Sequence, residues 1–356
     1  MQRMGVLMSD SIGDAKSRRE SSVLAKVRNC LVTLQDWMDD SSVTDIMINR
    51  PDDVWIQQGG RKFCSGAKIS ASQIEAAITL LASNSGITVS NESADAIVST
   101  KLPGFRVEAT LPPVAVDGPT ISFRRNNMVV MAMEDWVKQG ALPAEVADFL
   151  ADVVRKRLGV AIVGSTGSGK TTFANTLLGC YPENDRIITI EQVPELVVKA
   201  PNRVRLQINP QLKVTAKRLL ESVLRQNPDR IVLGEARGAE ANDLLQAANT
   251  GHPGPLVTLH ANNGKEGLTR FEDMVAQSSD APDSREGIQV RIAAAFQVMV
   301  FMTLVGDDRI VAEVVSVDGY NRQSKEYETK LIYRSSRYET FDVPTLGLQR
   351  DLAEAA

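Results

Sequence analysis

Residues 159–179 read GVAIVGSTGSGKTTFANTLLG. An uncharged apolar run, GVAIV (159–163), leads into a glycine-rich loop and then into a helical segment, TTFANTLLG. Gly164 to Thr171 satisfies GxxxxGK[ST] in the strand–loop–helix setting that the motif requires. Glycines let successive backbone N–H groups turn towards phosphate oxygens, and the start of the following helix adds partial positive charge. The phosphate-binding candidates are Gly164, Ser165, Thr166, Gly167, Ser168, Gly169, Lys170, Thr171 and Thr172. Lys170 supplies a point charge for β- and γ-phosphates, and the Thr171 hydroxyl suits Mg²⁺. ATP and Mg²⁺ are therefore the expected cofactors.

Outward from this loop the rhythm repeats. RIITI (186–190), RVRLQI (203–208), RIVLG (230–234) and PLVTL (255–259) are short apolar runs, most of them separated by helical segments. That alternation predicts an α/β domain, a mainly parallel sheet with helices on both faces. In such sheets ligands sit beyond the carboxyl ends of the strands. Two apolar strands end there in acids: RIITIEQVPEL in Glu191, with Glu195 four residues on, and NPDRIVLGEARG in Glu235. Hydrolysis needs one carboxylate to position water and another to hold Mg²⁺ through water. Glu191 and Glu235 are the candidates. FQVMVFMTLV (296–305) is too short to span a bilayer and reads as a buried strand.

Upstream lies a different pattern. Residues 1–21 are polar and read as a mobile tail. From Ser22 to about Met38 apolar residues fall at helical spacing. VTDIMIN (43–49), DVWIQ (53–57), RKFCSGA (61–67), FRVEATLPP (105–113) and PTISFRR (119–125) read as strands, with a helix over 71–84. The reading is a smaller α+β domain at 22–126, a linker at 127–142, the P-loop domain at 143–318 and an extension of unassigned role at 319–356.

A net charge of −4 in 356 residues argues against nucleic acid as a tight direct ligand. Three scattered cysteines without a CxxC pair argue against a zinc ribbon or disulfide framework and fit a reducing cytoplasm. The N-terminus has no signal-peptide pattern and no window is long and apolar enough to span a membrane, so any membrane association is peripheral. The only histidines, His252 and His260, fall within GHPGPLVTLHANN (251–263). Eight residues and a predicted strand separate them, with no third ligand nearby, which argues against zinc.

GSTGSGKTT, TIEQVPEL and NPDRIVLGEARGAEANDLLQAANTGHPGPLVTLHANN resemble, in order and spacing, the Walker A, Asp box, Walker B and His box of the secretion ATPases. The likeness is greatest to the TrbB-like conjugative-transfer ATPases of type IV secretion. It extends from about residue 22 to 318, including VTDIMINRPDDVWIQ and GPTISFRR near the N-terminus. One departure stands out: Gln192 occupies the usually acidic second position of the Asp box.

The resemblance implies a RecA-like P-loop domain in a ring, generally a homohexamer. Such a ring would work with inner-membrane components of a secretion or conjugation system from the cytoplasmic side. It implies that His260 senses the γ-phosphate, and that Arg106 and Arg124 of the N-terminal domain reach the phosphates. Arg225, Arg230, Arg237 and His252 are further interface or sensor candidates. The function implied is an ATP-hydrolysing motor for pilus biogenesis or passage of DNA or protein. A type II secretion or retraction-like pilus ATPase is the near alternative; extension types commonly carry a tetracysteine zinc module that three cysteines cannot build. A RecA-type DNA translocase would call for basic or aromatic DNA-contacting loops. A scaffold that binds ATP without turnover is opposed by Glu191 and Glu235.

Overall fold

The computed structural model describes residues 18–85, 96–125, 130–209 and 212–339. The tail expected at 1–21 lies outside the described residues through residue 17, as do residues 126–129 around the expected linker start and residues 340–356 of the expected extension. The chain divides into two compact units, Met1–Asn127 and Met128–Ala356.

The first unit begins with a helix over 18–30 (α1). Val23, Val27 and Leu31 recur every fourth residue and are buried, giving one apolar stripe. The single helix expected to run to Met38 is broken. Leu31 leaves helical dihedrals (φ −114°, ψ 48°), a 3-10 turn covers Val32–Leu34, and α2 (Gln35–Asp39) follows. The break lets Leu34 and Met38 share the core that Leu31 enters.

Six strands follow: β1 (Val43–Arg50), β2 (Asp53–Gln58), β3 (Arg61–Cys64), β4 (Ile97–Leu102), β5 (Phe105–Thr110) and β6 (Thr120–Arg125). They form an antiparallel sheet in the order β3-β2-β1-β6-β5-β4. Between β3 and β4, α3 (Ala71–Ser85) contributes Ile74, Ala77, Ile78 and Leu81 to the same core. Alternation sorts β5: Phe105, Val107 and Ala109 are buried, while Arg106 and Glu108 take the other face. Arg125 fastens the sheet to α2. Its Nε donates to the Val43 carbonyl at 2.8 Å, and Nη2 donates to the carbonyls of Met38 and Asp40 at 2.8 and 2.9 Å.

The second unit starts with α4 (Met133–Lys138) and α5 (Ala144–Arg155). The sheet strands are β7 (Val160–Gly164), β8 (Ile187–Glu191), β9 (Arg203–Gln207), β10 (Arg230–Leu233), β11 (Leu256–Leu259), β12 (Val298–Val305), β13 (Asp308–Asn321) and β14 (Glu326–Arg334). Interleaved are α6 (Lys170–Leu178), α7 (Ala216–Val223), α8 (Glu240–Asn249), α9 (Gly264–Ala276), α10 (Arg285–Ala295) and, last, α11 (Ser336–Glu339). The order is β14-β13-β12-β7-β11-β10-β8-β9. The six strands from β12 to β9 run parallel, and β13 and β14 add an antiparallel end. The sheet thus continues past residue 318, where the sequence reading ends this domain. That reading misses β14 because its alternate residues face solvent and leave no continuous apolar run.

The inner parallel strands β7, β8, β10 and β11 are buried on both faces, which is why they are continuous apolar runs, whereas β9 at the sheet edge alternates exposed and half-buried residues. Ala161 and Val163 of β7 join one core with residues of α7–α10, and Val160 and Ile162 join the other with residues of α4–α6. Within the expected linker, Trp136 is buried against Phe173 with ring centroids 5.2 Å apart, and its indole N–H donates to Thr176 Oγ1 at 2.8 Å. This fixes α4 to the back of α6.

The amino edge of the sheet carries a buried ion cluster. Arg230, at the start of β10, has a fully buried side chain; its Nε donates to Asp185 Oδ2 at 2.7 Å and its guanidinium lies 4.8 Å over the Tyr181 ring. Arg157 donates to Asp185 Oδ1 at 2.9 Å. Removing one partner of a buried pair strands the other charge. Asp185→Ala is therefore expected to lower unfolding free energy by about 3–5 kcal/mol in urea titrations; a loss within error would contradict the cluster's role.

Candidate functional site

The loop from Gly164 to Thr171 joins β7 to α6 at the carboxyl edge of the sheet. Gly164 sits at φ 155°, where an added Cβ would press on the Met302 carbonyl oxygen of β12 and lie 2.6 Å from Ser168 Oγ. Gly167 (φ 81°) and Gly169 (φ 93°) take left-handed conformations. Ser168 is buried and donates to the Ser165 carbonyl at 2.9 Å. Lys170 Nζ donates to the carbonyls of Gly164 (2.9 Å) and Ser165 (2.7 Å), so its charge lies within the loop. Thr171 and Thr172 occupy the first turn of α6 and are part-exposed.

The acids come from neighbouring strand ends. Strand order supplies what chain order hides: β11 lies between β7 and β10, so His260 falls between the glycine-rich loop and Glu235. His260 Nε2 is 3.2 Å from Glu235 Oε1, and Arg237 Nη2 donates to Glu235 Oε2 at 2.7 Å. Burial works to raise the Glu235 carboxyl. The Arg237 hydrogen bond and charge, with the charge of Lys170, outweigh it and hold the group below its usual value. Burial and the nearby Lys170 charge push His260 below its usual value despite Glu235, favouring neutral imidazole at neutral pH.

Glu191 ends β8 and is buried. Its Oε1 accepts from the backbone N–H groups of Glu195 (2.7 Å) and Leu196 (2.8 Å). Burial is the largest influence and raises its pKa, outweighing those two bonds. Gly234 makes room for it, since a Cβ there would lie 3.0 Å from Glu191 Cγ. Asn175 of α6 holds the segment that holds Glu191: its amide donates to the Glu195 carbonyl at 3.0 Å and accepts from Val197 N–H at 2.8 Å.

Gln192 is tied to the same constellation. Its Oε1 accepts from Arg237 Nη1 at 2.7 Å, so one guanidinium spans Gln192 and Glu235. A planar fork suits that bridge. An amide accepts from Arg237 without competing for its charge, which leaves Glu235 as the ionic partner of this arginine.

Three sequence candidates lie elsewhere. Arg230 belongs to the buried cluster at the amino edge, and its place at the start of β10 is opposed to the loop's edge. His252 precedes β11 and Arg225 precedes β10, so both also lie at the amino edge. Motif proximity in sequence does not separate the two ends of a strand, whereas the parallel register does. Arg106 and Arg124 are directly opposed across β5 and β6 in the first unit, and Arg124 Nε is 3.7 Å from Asp45. Two adjacent like charges form a cationic patch on that sheet's outer face. Asn175 and Arg309, whose Nε donates to the Gly167 carbonyl at 3.0 Å, carry no motif signal in the sequence. A groove of about 610 Å³ beside the loop is walled by Ser165, Thr166 and His260 on one side and by Thr269 and Arg270 of α9 on the other.

The order of strands and the acids gathered at one sheet edge define a RecA-like P-loop architecture. The model for the type II/IV secretion system protein family matches residues 32–314, and the chain belongs to this family. It is 32% identical over 300 residues to the conjugal transfer protein TrbB of Rhizobium radiobacter, covering 82% of this chain and 88% of that one. It is 28% identical over 321 residues to VirB11 of Agrobacterium fabrum, covering 81% and 93%. The crystal structure of the pilus retraction motor PilT with bound ADP shares the fold at a TM-score of 0.57 and 18% identity, covering 88% of this chain and 84% of that chain.

The close approach at Gly164 generates a prediction. Gly164→Ala would meet the Met302 backbone, whereas a Cβ on Gly167 would meet nothing within 4 Å. Gly164→Ala should lose well over about 1 kcal/mol of unfolding free energy, and Gly167→Ala only the backbone strain of its positive φ. Equal losses in denaturant titrations would contradict the account of Gly164.

Proposed function

We propose that this chain is the ATP-hydrolysing motor of a type IV secretion or conjugative-transfer apparatus. The observation that carries the reading is the gathering of Lys170, Glu191, Glu235 and His260 at one sheet edge in a chain similar to TrbB over most of both lengths.

The chemistry follows from the residues. Backbone N–H groups of the loop and the amino end of α6 attract phosphate oxygens, and Lys170 adds a full positive charge there. The donor set fits the magnesium ion that the family implies, because a hydroxyl (Thr171) and a carboxylate held ionised (Glu235) are hard oxygen ligands. Mg²⁺, when bound, neutralises charge on the phosphates. Glu191, with its raised pKa, suits the group that orients water and accepts its proton. Backbone donors from Glu195 and Leu196 keep its carboxylate in a fixed direction. His260, set between the loop and Glu235, links the phosphate side to the acid and so reports whether the γ-phosphate is present. Arg106 and Arg124 present paired guanidinium groups suited to phosphate, and in this reading they close over the nucleotide in a homohexameric ring.

In this reading the motor works from the cytoplasm and docks on inner-membrane components; among the described residues no helix is long and apolar enough to cross a membrane. The fold shared with PilT keeps a pilus motor as the alternative. Conjugation genes beside this one, rather than pilin genes, would support the first reading.

Kinetics test the assignment. Lys170→Ala should abolish phosphate release while the circular dichroism spectrum and melting temperature stay near wild type. His260→Ala should lower kcat by about 10–100-fold and change ATP affinity by less than about threefold, the signature of a group acting after binding. Normal turnover in Lys170→Ala, or equal losses of affinity and rate in His260→Ala, would contradict these roles.

A further inference from the structure

The hairpin joining β12 to β13 wraps the outer flank of the glycine-rich loop. Met302 pairs with Gly164 at the end of β7. The chain then runs to Val305, turns through Gly306 at φ 63°, and returns with Arg309 opposite Leu304. This brings Arg309 to a loop 142 residues distant in sequence, where its Nε donates to the Gly167 carbonyl at 3.0 Å. The stem lies on the loop as well. A Cβ on Gly169 would be 2.9 Å from Arg309 Cδ and 3.6 Å from its Cβ and Cγ. Gly169 therefore meets two requirements, a positive φ and room for this arginine.

The arginine is held from both sides. Ile310, next along β13, is fully buried. Asp308, on the other side, is paired with Arg337 of α11 at 2.7 Å. The Nη nitrogens of Arg309 make no hydrogen bond among the described residues.

The carbonyls on the inner turn of the loop are engaged by Lys170 and Ser168, and that of Gly167 by Arg309. In a trans peptide the C=O and N–H point in opposite directions. A cation fixed on the Gly167 oxygen therefore orients the Ser168 N–H of the same peptide, whose bond inside the loop, to the Ser165 carbonyl, is long at 3.4 Å.

We propose that Arg309 is a positioning residue of the nucleotide site. It sets affinity for nucleoside di- and triphosphates by holding the Gly167–Ser168 peptide and adding positive charge at the loop's flank. It takes no part in the hydrolytic step. The inference rests on the reading of the loop as the phosphate site.

The test measures Kd for a fluorescent ADP analogue, with KM and kcat for ATP, in the full chain and in R309A, R309Q and R309K. A charge-assisted hydrogen bond lost from the loop should raise Kd and KM in R309A by about tenfold. Because the loss falls on binding, kcat should stay within about twofold. R309K, which keeps the charge and most of the stem, should recover part of the loss, and R309Q less. Wild-type affinity in R309A, a fall in kcat at unchanged KM, or R309K no better than R309A would each overturn the proposal. Should R309A fail to fold, R309Q against R309K makes the same comparison. A wild-type chain that binds no nucleotide would instead remove the reading of the loop on which the proposal stands.

Discussion

The contact on which the second unit depends is the approach of the Gly164 backbone to the Met302 carbonyl. β7 and β12 pair in parallel up to that point, and the absence of a side chain lets the loop leave β7 directly over its neighbour. The loop's height above the sheet follows from this contact. So does the direction of α6, because Gly169 caps the helix at φ 93°. A bulkier residue at 164 would lift the loop away from β12, and with it Lys170 and the helix start that carries the positive end of its dipole.

The acids are placed by the same sheet but tuned by different surroundings. Glu191 is buried, with one oxygen bound to two backbone N–H groups, and burial dominates its titration upward. Glu235 is shared between Arg237 and His260 and stays ionised more readily. In the proposed reading, pushing two carboxyl groups apart in this way gives the site a proton acceptor and a charge carrier from one residue type. Gln192 belongs to this division of labour. As a neutral acceptor for Arg237 it leaves the arginine's charge to Glu235, where a second acid would have shared it.

Much of this was legible in the sequence because the information is local. The glycine pattern, the apolar runs that end in Glu191, Glu235 and His260, and the alternation of strands with helices each sit within a few residues. What was not legible depends on order and on ends. The insertion of β11 between β7 and β10 is a property of topology, and it makes His260 a neighbour of Glu235. Arg230 and Arg237 flank the same motif at similar distance. Yet one begins a strand and is buried with Asp185, while the other follows its end and reaches Glu235. Arg309 is further from legibility: it comes from a hairpin whose exposed positions carry no periodic signal, and only the fold brings it to Gly167. The helix expected to run unbroken to Met38 fails for a tertiary reason, since the turn at Leu31 is what lets Leu34 and Met38 enter one core.

The central proposal is that the site hydrolyses ATP and is completed only in a ring. The direct measurement is phosphate release per subunit by the purified chain over a dilution series, with oligomer mass followed in parallel by light scattering. The account predicts that specific activity rises with concentration and tracks the appearance of the assembled ring. Full activity in a demonstrated monomer would contradict the shared site, and an assembled ring that releases no phosphate from ATP would contradict the motor itself.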